Sequence, residues 1–143
     1  MGNDDLIYKT PNWDTTLRDE TEKFPDDIYV MWFNDLINAD RHCAFPIVSK
    51  KWYNAVGYFA PGVFEFLYND TWVFDIGKRV DRLHYIGDVI TEHLHFTVGK
   101  SSYDKTYREA RERGQRERDG DLFAKTADQR EEAAQRLREV MND

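Results

Sequence analysis

The sequence predicts an α/β chain in which a short mixed β-sheet with flanking helices is followed by a helical C-terminal tail. Short apolar runs rich in β-branched and aromatic residues alternate with helical patterns in the first hundred residues. The composition then changes, since 18 of the 21 aromatic residues precede residue 100. We therefore expect a globular body over residues 1–99 and a charged helical extension over residues 100–143.

Strand and helix signals follow one another closely along the chain. Four apolar runs carry the strand signature: 28–33, 44–49, 82–86 and 89–98. Side chains that cap helices predict four helix starts: Ser49, Asn69 or Asp70, Ser102 and Thr126. Gly57 is expected to end the first helix, and residues 119–121 are expected to separate the two helices of the tail. Ala127, Ala134, Leu137 and Met141 give the last helix a thin apolar face, which predicts that it docks on another surface.

Charge and cysteine content exclude several classes of protein. The formal net charge is -7, which argues against general nucleic-acid binding or attachment to anionic lipid. Cys43 is the single cysteine, so an intramolecular disulfide and a zinc site of several thiolates are both excluded. The apolar stretch at 58–68 is interrupted by Pro61 and Gly62 and is too short to span a membrane. We expect a cytoplasmic protein without a membrane span.

Three separated stretches carry the functional hypothesis: MGNDDLIYKTPNWD (1–14), GYFAPGVFEFLYNDTWVFDIGKR (57–79) and YIGDVITEHLHF (85–96). The first resembles the segment with the acidic DxD motif of GT-A glycosyltransferases of the inverting, family-two type, with Asn12 where glycine is common. The second resembles the element that carries the catalytic base, with Asn69-Asp70 in place of Glu-Asp. The third resembles the segment whose histidine completes the metal site.

The order and spacing of these stretches are similar to those of the second half of such an enzyme. The resemblance covers residues 1–98 and extends to glycosyltransferase-type proteins of bacteriophages. It implies a metal-and-acceptor half domain of the GT-A fold. It also implies transfer of a sugar from a nucleotide-sugar donor to an acceptor hydroxyl, with inversion at the anomeric carbon. Mn²⁺ or Mg²⁺ would neutralise the departing diphosphate.

Each matching residue receives a role from the resemblance. Asp70 would be the general base that takes the proton of the acceptor hydroxyl. Asp5 and His93 would ligate the metal, and an imidazole ligand favours Mn²⁺ over Mg²⁺. The donor would be contacted by Asn3, Asp4 and Trp13. Because aromatic rings pack on sugar faces, four residues are candidate walls of the acceptor pocket: Trp52, Tyr53, Tyr58 and Phe59.

Every one of these assignments has a structural alternative. Asp4 and Asp5 could be solubilising charges of an exposed turn, and Asp70 could cap a helix whatever its chemistry. The aromatic residues of 52–68 could belong to the core. Of the two histidines His93 and His95, only His93 is assigned to the metal, and His95 is expected to pack against the body or to contact solvent. His42 and His84 are interpreted as structural.

In a complete GT-A enzyme a nucleotide-binding βαβ unit precedes the acidic motif, and this sequence shows no glycine-rich phosphate loop. We therefore expect that transfer needs a second protein chain with a nucleotide-binding half, or that the chain forms a homo-oligomer. The rival hypothesis is a catalytically silent interaction or assembly protein derived from such a half domain. A small-ligand or nucleotide-binding module is a third hypothesis.

Overall fold

The computed structural model describes residues 5–65 and 67–141, except for the side chain of Ala110. Four strands form one mixed sheet: β1 (Leu6–Tyr8), β2 (Val30–Asn34), β3 (Ile47–Val48) and β4 (Leu83–His93). Their order is β1-β4-β2-β3, with β4 parallel to β2 and antiparallel to β1, and β3 antiparallel to β2. The predicted α/β class with a mixed sheet is therefore confirmed.

Six helices of the described part flank the sheet: α1 (Trp13–Thr21), α2 (Lys50–Val56), α3 (Asn69–Arg79), α4 (Lys105–Glu112), α5 (Gln115–Lys125) and α6 (Ala127–Met141). Two single turns of 3₁₀ helix occupy Ala39–Arg41 and Phe96–Val98. Within residues 5–65 and 67–141, no helix has the length and the apolar character needed to cross a membrane.

Strand β2 is buried on both faces, because helices cover the sheet on both sides. Successive side chains of a strand point to opposite faces. Val30 and Trp32 accordingly join the large core cluster that α2, α3 and α6 complete. Met31 and Phe33 join a smaller cluster against which α1 packs.

Gly77 lies inside α3 although glycine is a poor helix former. A methyl group at this position would lie 2.6 Å from Cδ2 of Leu83 and 2.9 Å from Cγ2 of Val30. The missing side chain therefore lets α3 approach the β2–β4 pair closely, which compensates for the low helix propensity.

The sequence predicts two strands where the structure has one. Strand β4 is continuous, but its pairing with β2 jumps from Phe33–Ile86 to Asn34–Ile90. Residues 87–89 form a bulge, so Gly87 and Asp88 mark an irregularity within the strand and not a turn between two strands. The strand also ends at His93 and not at Val98, because the chain turns into 3₁₀ helix.

Of the helix ends predicted in the first 99 residues, both ends of α2 are confirmed and the N-cap of α3 is not. Ser49 accepts a hydrogen bond from Trp52 N and Gly57 adopts a left-handed conformation, so both predicted ends of α2 are confirmed. Helix α3 begins at Asn69, but its N-cap is Tyr68, in a left-handed conformation with no side-chain bond. Asp70 lies in the first turn of the helix, and the prediction that it or Asn69 is the cap is wrong.

The tail is helical as predicted, but its break lies elsewhere. The chain turns at Gly114, whose φ is 61°, while Gly120 lies inside α5. Helix α4 is capped by Asp104 and not by Ser102. Helix α5 continues past Asp119 because that buried carboxylate is occupied elsewhere, accepting bonds from the backbone N–H groups of Glu65 and Leu67.

Helix α6 docks on the body, as its apolar face predicts. Ala133, Ala134 and Leu137 are at most 1% exposed and belong to the same core cluster as Trp52 and Trp72. Although the composition changes at residue 100, the last helix completes the core of the first 99 residues.

One buried cation connects three of the helices. Arg130 of α6 is 3% exposed, and its Nε lies 2.6 Å from Oδ2 of Asp75 in α3. Its Nη1 donates to the carbonyl of Phe123 in α5 at 2.7 Å, and its guanidinium lies 3.6 Å from the centroid of the Phe123 ring. A buried guanidinium with these partners fixes the relative position of α3, α5 and α6.

We expect Arg130→Met to lower the free energy of unfolding by about 2–3 kcal/mol, because the buried pair loses its cation while Asp75 keeps only Arg79. Arg108→Met, at an exposed position of α4, is the matched control and should cost less than about 1 kcal/mol. Urea unfolding of both variants measures the difference. Equal costs would show that the Arg130 cluster does not hold the helices together.

Candidate functional site

A cavity of about 710 Å³ lies beside the carboxyl end of strand β4. Ligand sites of open α/β sheets form where parallel strands end. Here His93 is the last residue of β4, and the loop that follows β2 supplies Asn38 and His42 to the wall. Asp70, from the first turn of α3, completes this part of the lining. The sheet thus brings residues from three distant stretches to one cavity.

Asp5 and His93 meet as the sequence predicts. Leu6 pairs with His93 in the sheet and Leu94 N donates to Asp5 O, which places Asp5 directly beside the strand end. Oδ2 of Asp5 lies 3.3 Å from Nε2 of His93. Oδ1 of Asp5 and Nδ1 of His93 are buried and have no hydrogen-bond partner in the described part of the chain. Each residue of the pair therefore has one buried polar atom without a partner.

The two residues fit two positions of a metal site. Neighbouring ligands of an octahedral ion at about 2.1 Å have donor atoms about 3 Å apart, and the Asp5–His93 separation is 3.3 Å. Among the described residues, no group of three or more His, Cys, Asp and Glu side chains could hold an ion. Further ligands would be water, substrate oxygens or residues outside the described ranges. Asn3 and Asp4, which are predicted to contact the nucleotide-sugar donor, lie outside those ranges.

The carboxylate of Asp70 is held at both oxygens. Its Oδ2 lies 2.9 Å from Nε2 of His42, and its Oδ1 accepts a 2.8 Å hydrogen bond from the backbone N–H of Thr71. Both side chains of the His42–Asp70 pair are about 30% exposed, at 28% and 30%. His42 was interpreted as structural from the sequence, and its place in the cavity was missed because 28 residues separate it from Asp70.

Asp35 organises the loop between β2 and the cavity. Its Oδ1 accepts hydrogen bonds from the backbone N–H groups of Ile37, Asn38 and Ala39, and its main-chain carbonyl accepts from His93 N at 3.2 Å. Burial raises the pKa of Asp35, but the hydrogen bonds outweigh burial and hold this pKa below its ordinary value. The ionised form is therefore the one that shapes the loop.

A second cavity of about 650 Å³ continues from the first past His95 and Tyr107. His95 hydrogen-bonds to Thr97, and burial lowers the pKa of His95, which its neighbour His93 lowers further. The imidazole of His95 is therefore neutral at neutral pH. Burial raises the pKa of Tyr107, and the Asp5 carboxylate adds to this shift.

The other aromatic candidates lie outside these two cavities. Trp13 packs between Tyr8 and Phe33, with ring centroids at 4.5 Å and 6.0 Å. Trp52 is 1% exposed and belongs to the core, which is the structural alternative for this residue. The remaining acceptor candidates, none of which lines either cavity, are Tyr53, Tyr58 and Phe59. Their role in acceptor binding stays a prediction.

The chemical capacity of the site follows from its own groups, since no family model, curated protein or solved structure matches the chain. One carboxylate, Asp70, is oriented by two hydrogen bonds at the cavity wall. A carboxylate–imidazole pair with unused atoms lies at the end of β4. A carboxylate is a proton acceptor, and carboxylate oxygen and imidazole nitrogen are both ligand types of divalent cations.

We expect the Asp35 carboxylate to stabilise the loop only while it is ionised. Because its pKa is lower in the folded than in the unfolded chain, the stabilisation is present above the unfolded pKa of about 4 and is lost as the pH falls towards the folded pKa. Asp35→Asn should cost roughly 1–2 kcal/mol at pH 7 and less at pH 3.

Urea unfolding of both proteins at several pH values measures this difference. Asp88→Asn, at an exposed position, is the control. A difference between Asp35→Asn and the native chain that stays constant from pH 7 to pH 3 would contradict the assignment.

Proposed function

We propose that the chain is the metal-and-acceptor half of an inverting GT-A-type glycosyltransferase, which moves a sugar from a nucleotide-sugar donor to an acceptor hydroxyl. One observation carries the proposal. Asp70 and His93 line a single cavity of about 710 Å³, and Asp5 lies directly behind this lining, 3.3 Å from His93. The three residues come from the three stretches that carry the family resemblance. Inverting transfer needs a base for the acceptor and a neutralising group for the diphosphate, and these residues supply both functions.

Asp70 is the general base of the proposed reaction. The acceptor hydroxyl loses its proton to the carboxylate as it attacks the anomeric carbon from the side opposite the leaving group. The His42 imidazole and the Thr71 N–H each hold one oxygen of Asp70, so the carboxylate keeps one orientation. His42 is a positioning residue because it acts through Asp70.

Asp5 and His93 are the residues of this chain that would hold Mn²⁺ or Mg²⁺. When bound, the cation supplies charge neutralisation for the nucleoside diphosphate that leaves. The 3.3 Å separation between Oδ2 of Asp5 and Nε2 of His93 supports this assignment, because neighbouring ligand atoms of an octahedral ion are about 3 Å apart. Phe45, whose ring meets that of His93 edge to face at 4.9 Å, limits the motion of the imidazole.

The nucleotide of the donor needs further protein surface, and the sheet has room for it. Strand β1 pairs only with Thr91–His93 of β4. Residues 83–88 of β4 have no strand partner on the side away from β2 within the described part of the chain. An open strand edge is a template for another strand. We propose that a nucleotide-binding unit, from a second protein chain or another copy of this chain, joins the sheet there.

The cellular location of this reaction is proposed to be the cytoplasm. The single cysteine, Cys43, is buried, and burial raises the pKa of its thiol far above the ordinary value. A free thiol of this kind persists in a reducing compartment, and nucleotide-sugar chemistry fits the same location.

Metal binding tests the first half of the proposal. We expect Mn²⁺ to bind the native chain in the presence of a nucleoside diphosphate, and His93→Ala or Asp5→Asn to weaken binding by roughly tenfold or more, because each removes a ligand. Titration followed by Mn²⁺ electron paramagnetic resonance measures the affinity. His84→Ala, at a histidine paired with Glu20, is the control. Unchanged affinity in both ligand variants would overturn the metal assignment.

The base role predicts that Asp70→Asn remains folded and loses transfer by roughly 10²-fold or more. Nucleoside diphosphate release by the active assembly measures transfer, and Asp81→Asn is the surface control. His42→Ala should lower kcat with little change in KM, and His42→Gln should restore part of the loss because its amide can replace the Nε2 donor. A fully active Asp70→Asn protein would favour the catalytically silent interaction protein.

A further inference from the structure

The second cavity is an extension of the site that contains Asp70. The two cavities share five lining residues: Leu67, His95, Thr97, Tyr107 and Arg116. The second lacks Asp70, Asp5 and His93, so a group bound in it is beyond the reacting atoms. A ligand that fills both cavities would therefore have its reacting end at Asp70 and its other end in the second cavity.

Aromatic rings form one wall of the second cavity. Phe96 lies 4.6 Å from Tyr107 and 5.0 Å from Tyr103 between ring centroids. Tyr103 donates a hydrogen bond to the carbonyl of Tyr107, and it is 42% exposed. A set of mutually packed rings with exposed surface offers a preformed platform for an apolar sugar face.

Two arginines also line the second cavity. Arg111 comes from the last turn of α4 and Arg116 from the first turn of α5. Neither guanidinium has an ion-pair or hydrogen-bond partner among the described residues, although the chain has a net charge of -7. Glu117 is the only acidic residue of the described lining. The planar fork of a guanidinium matches carboxylate and phosphate groups, so these two side chains favour an anion.

The helices that carry these arginines are fixed to the body. Asp119 of α5 accepts hydrogen bonds from the backbone N–H groups of Glu65 and Leu67, and Gln115 donates to the Glu65 carboxylate at 2.8 Å. Leu67 and Tyr68 lead directly into α3 and Asp70. Helix α4 is placed by the ring of Tyr107, whose centroid lies 5.4 Å from that of His95 and 4.6 Å from that of Phe96. The helices that carry Arg111 and Arg116 are thereby held relative to the proposed base, which is a condition for selecting a ligand by shape and charge.

We propose that the second cavity binds the non-reacting part of the acceptor, and that this part is a saccharide bearing a carboxylate or phosphate group. The sugar ring packs against Tyr103 and Phe96, and the anionic group lies between Arg111 and Arg116. The identification of the ligand as the acceptor rests on the proposed function, whereas the binding of an acidic saccharide does not. The C-terminal helices then select the substrate of a site whose chemistry belongs to the first 99 residues.

Calorimetric titration with four probes tests this site: glucuronic acid, glucose 6-phosphate, glucose and inorganic phosphate. We expect at least one of the two acidic sugars to bind, and at least tenfold more tightly than both glucose and inorganic phosphate, because only it engages rings and guanidinium groups together. Which acidic sugar binds more tightly distinguishes a carboxylate from a phosphate ester. Failure of both to bind at millimolar concentration would overturn the proposal, as would equally tight binding of glucose or phosphate.

Paired variants locate the binding. The double substitution Arg111→Gln with Arg116→Gln should weaken the acidic sugar roughly tenfold or more. Arg108→Gln with Arg113→Gln removes the same charge from exposed positions next to the cavity and should change the affinity less than twofold. Tyr103→Ala should also weaken binding, while Tyr103→Phe should not. Equal effects of the two double substitutions would overturn the proposal, because net charge alone would then explain binding.

Binding of Mn²⁺ with uridine diphosphate separates this inference from the proposed function. We expect the Arg111 and Arg116 double substitution to leave that binding unchanged. Loss of diphosphate binding in this variant would assign the arginines to the donor and overturn the acceptor site. If the native chain binds the acidic sugar and no Mn²⁺–diphosphate, the glycosyltransferase proposal fails while the saccharide site stands.

Discussion

The arrangement of the site depends on strand β4, which pairs with two strands at once. Its parallel pairing with β2 brings the loop after Asn34 to the same edge of the sheet as its own end. Its antiparallel pairing with β1 sets Leu6 opposite His93 and so delivers Asp5 to the imidazole. A slip of one residue in either register would turn every side chain of that strand to the opposite face. The meeting of Asp5, His93 and the β2 loop is therefore a property of strand register.

The C-terminal helices are held by polar groups as much as by apolar contact. Only a narrow set of small and branched side chains of α6 enters the core. The buried Arg130 and the buried Asp119 add directional bonds that define where α5 and α6 lie. Burying such charges is stabilising only when their partners are complete, so these contacts specify one arrangement of the tail. That arrangement closes the second cavity beside the first.

Local signals predicted more of this fold than of its site. The Ser49 cap, the Gly57 stop and the docking face of α6 were predictable because each rests on residues within a few positions of one another. The helix break was predicted at residues 119–121 and lies at Gly114, since Asp119 is used in a bond to a loop more than fifty residues away. Local propensity carries no information about such a contact.

The residues of the site also differ in whether the sequence predicted their contacts. The proximity of Asp5 and His93 was predicted from a resemblance to a family and not from periodicity, which carries no information about residues 88 positions apart. The bond between His42 and Asp70 was not predictable, because nothing in the residues around His42 distinguishes it from a structural histidine. The arginines of the second cavity were likewise not predicted, because the sequence indicated only that the tail is a charged helical extension.

The distribution of unsatisfied polar atoms links stability to the proposed chemistry. Three buried side-chain atoms of the described residues lack a hydrogen-bond partner, and two of them belong to Asp5 and His93. Such an atom costs on the order of 1–3 kcal/mol, and protein interiors ordinarily leave few of them. The carboxylates of Asp35 and Asp70, in contrast, have a hydrogen-bond partner at both oxygens. The chain thus satisfies the groups that shape its cavity and leaves one atom each of Asp5 and His93 without a partner. A cation bound by these two side chains, as we propose, would stabilise the folded chain by its own binding free energy.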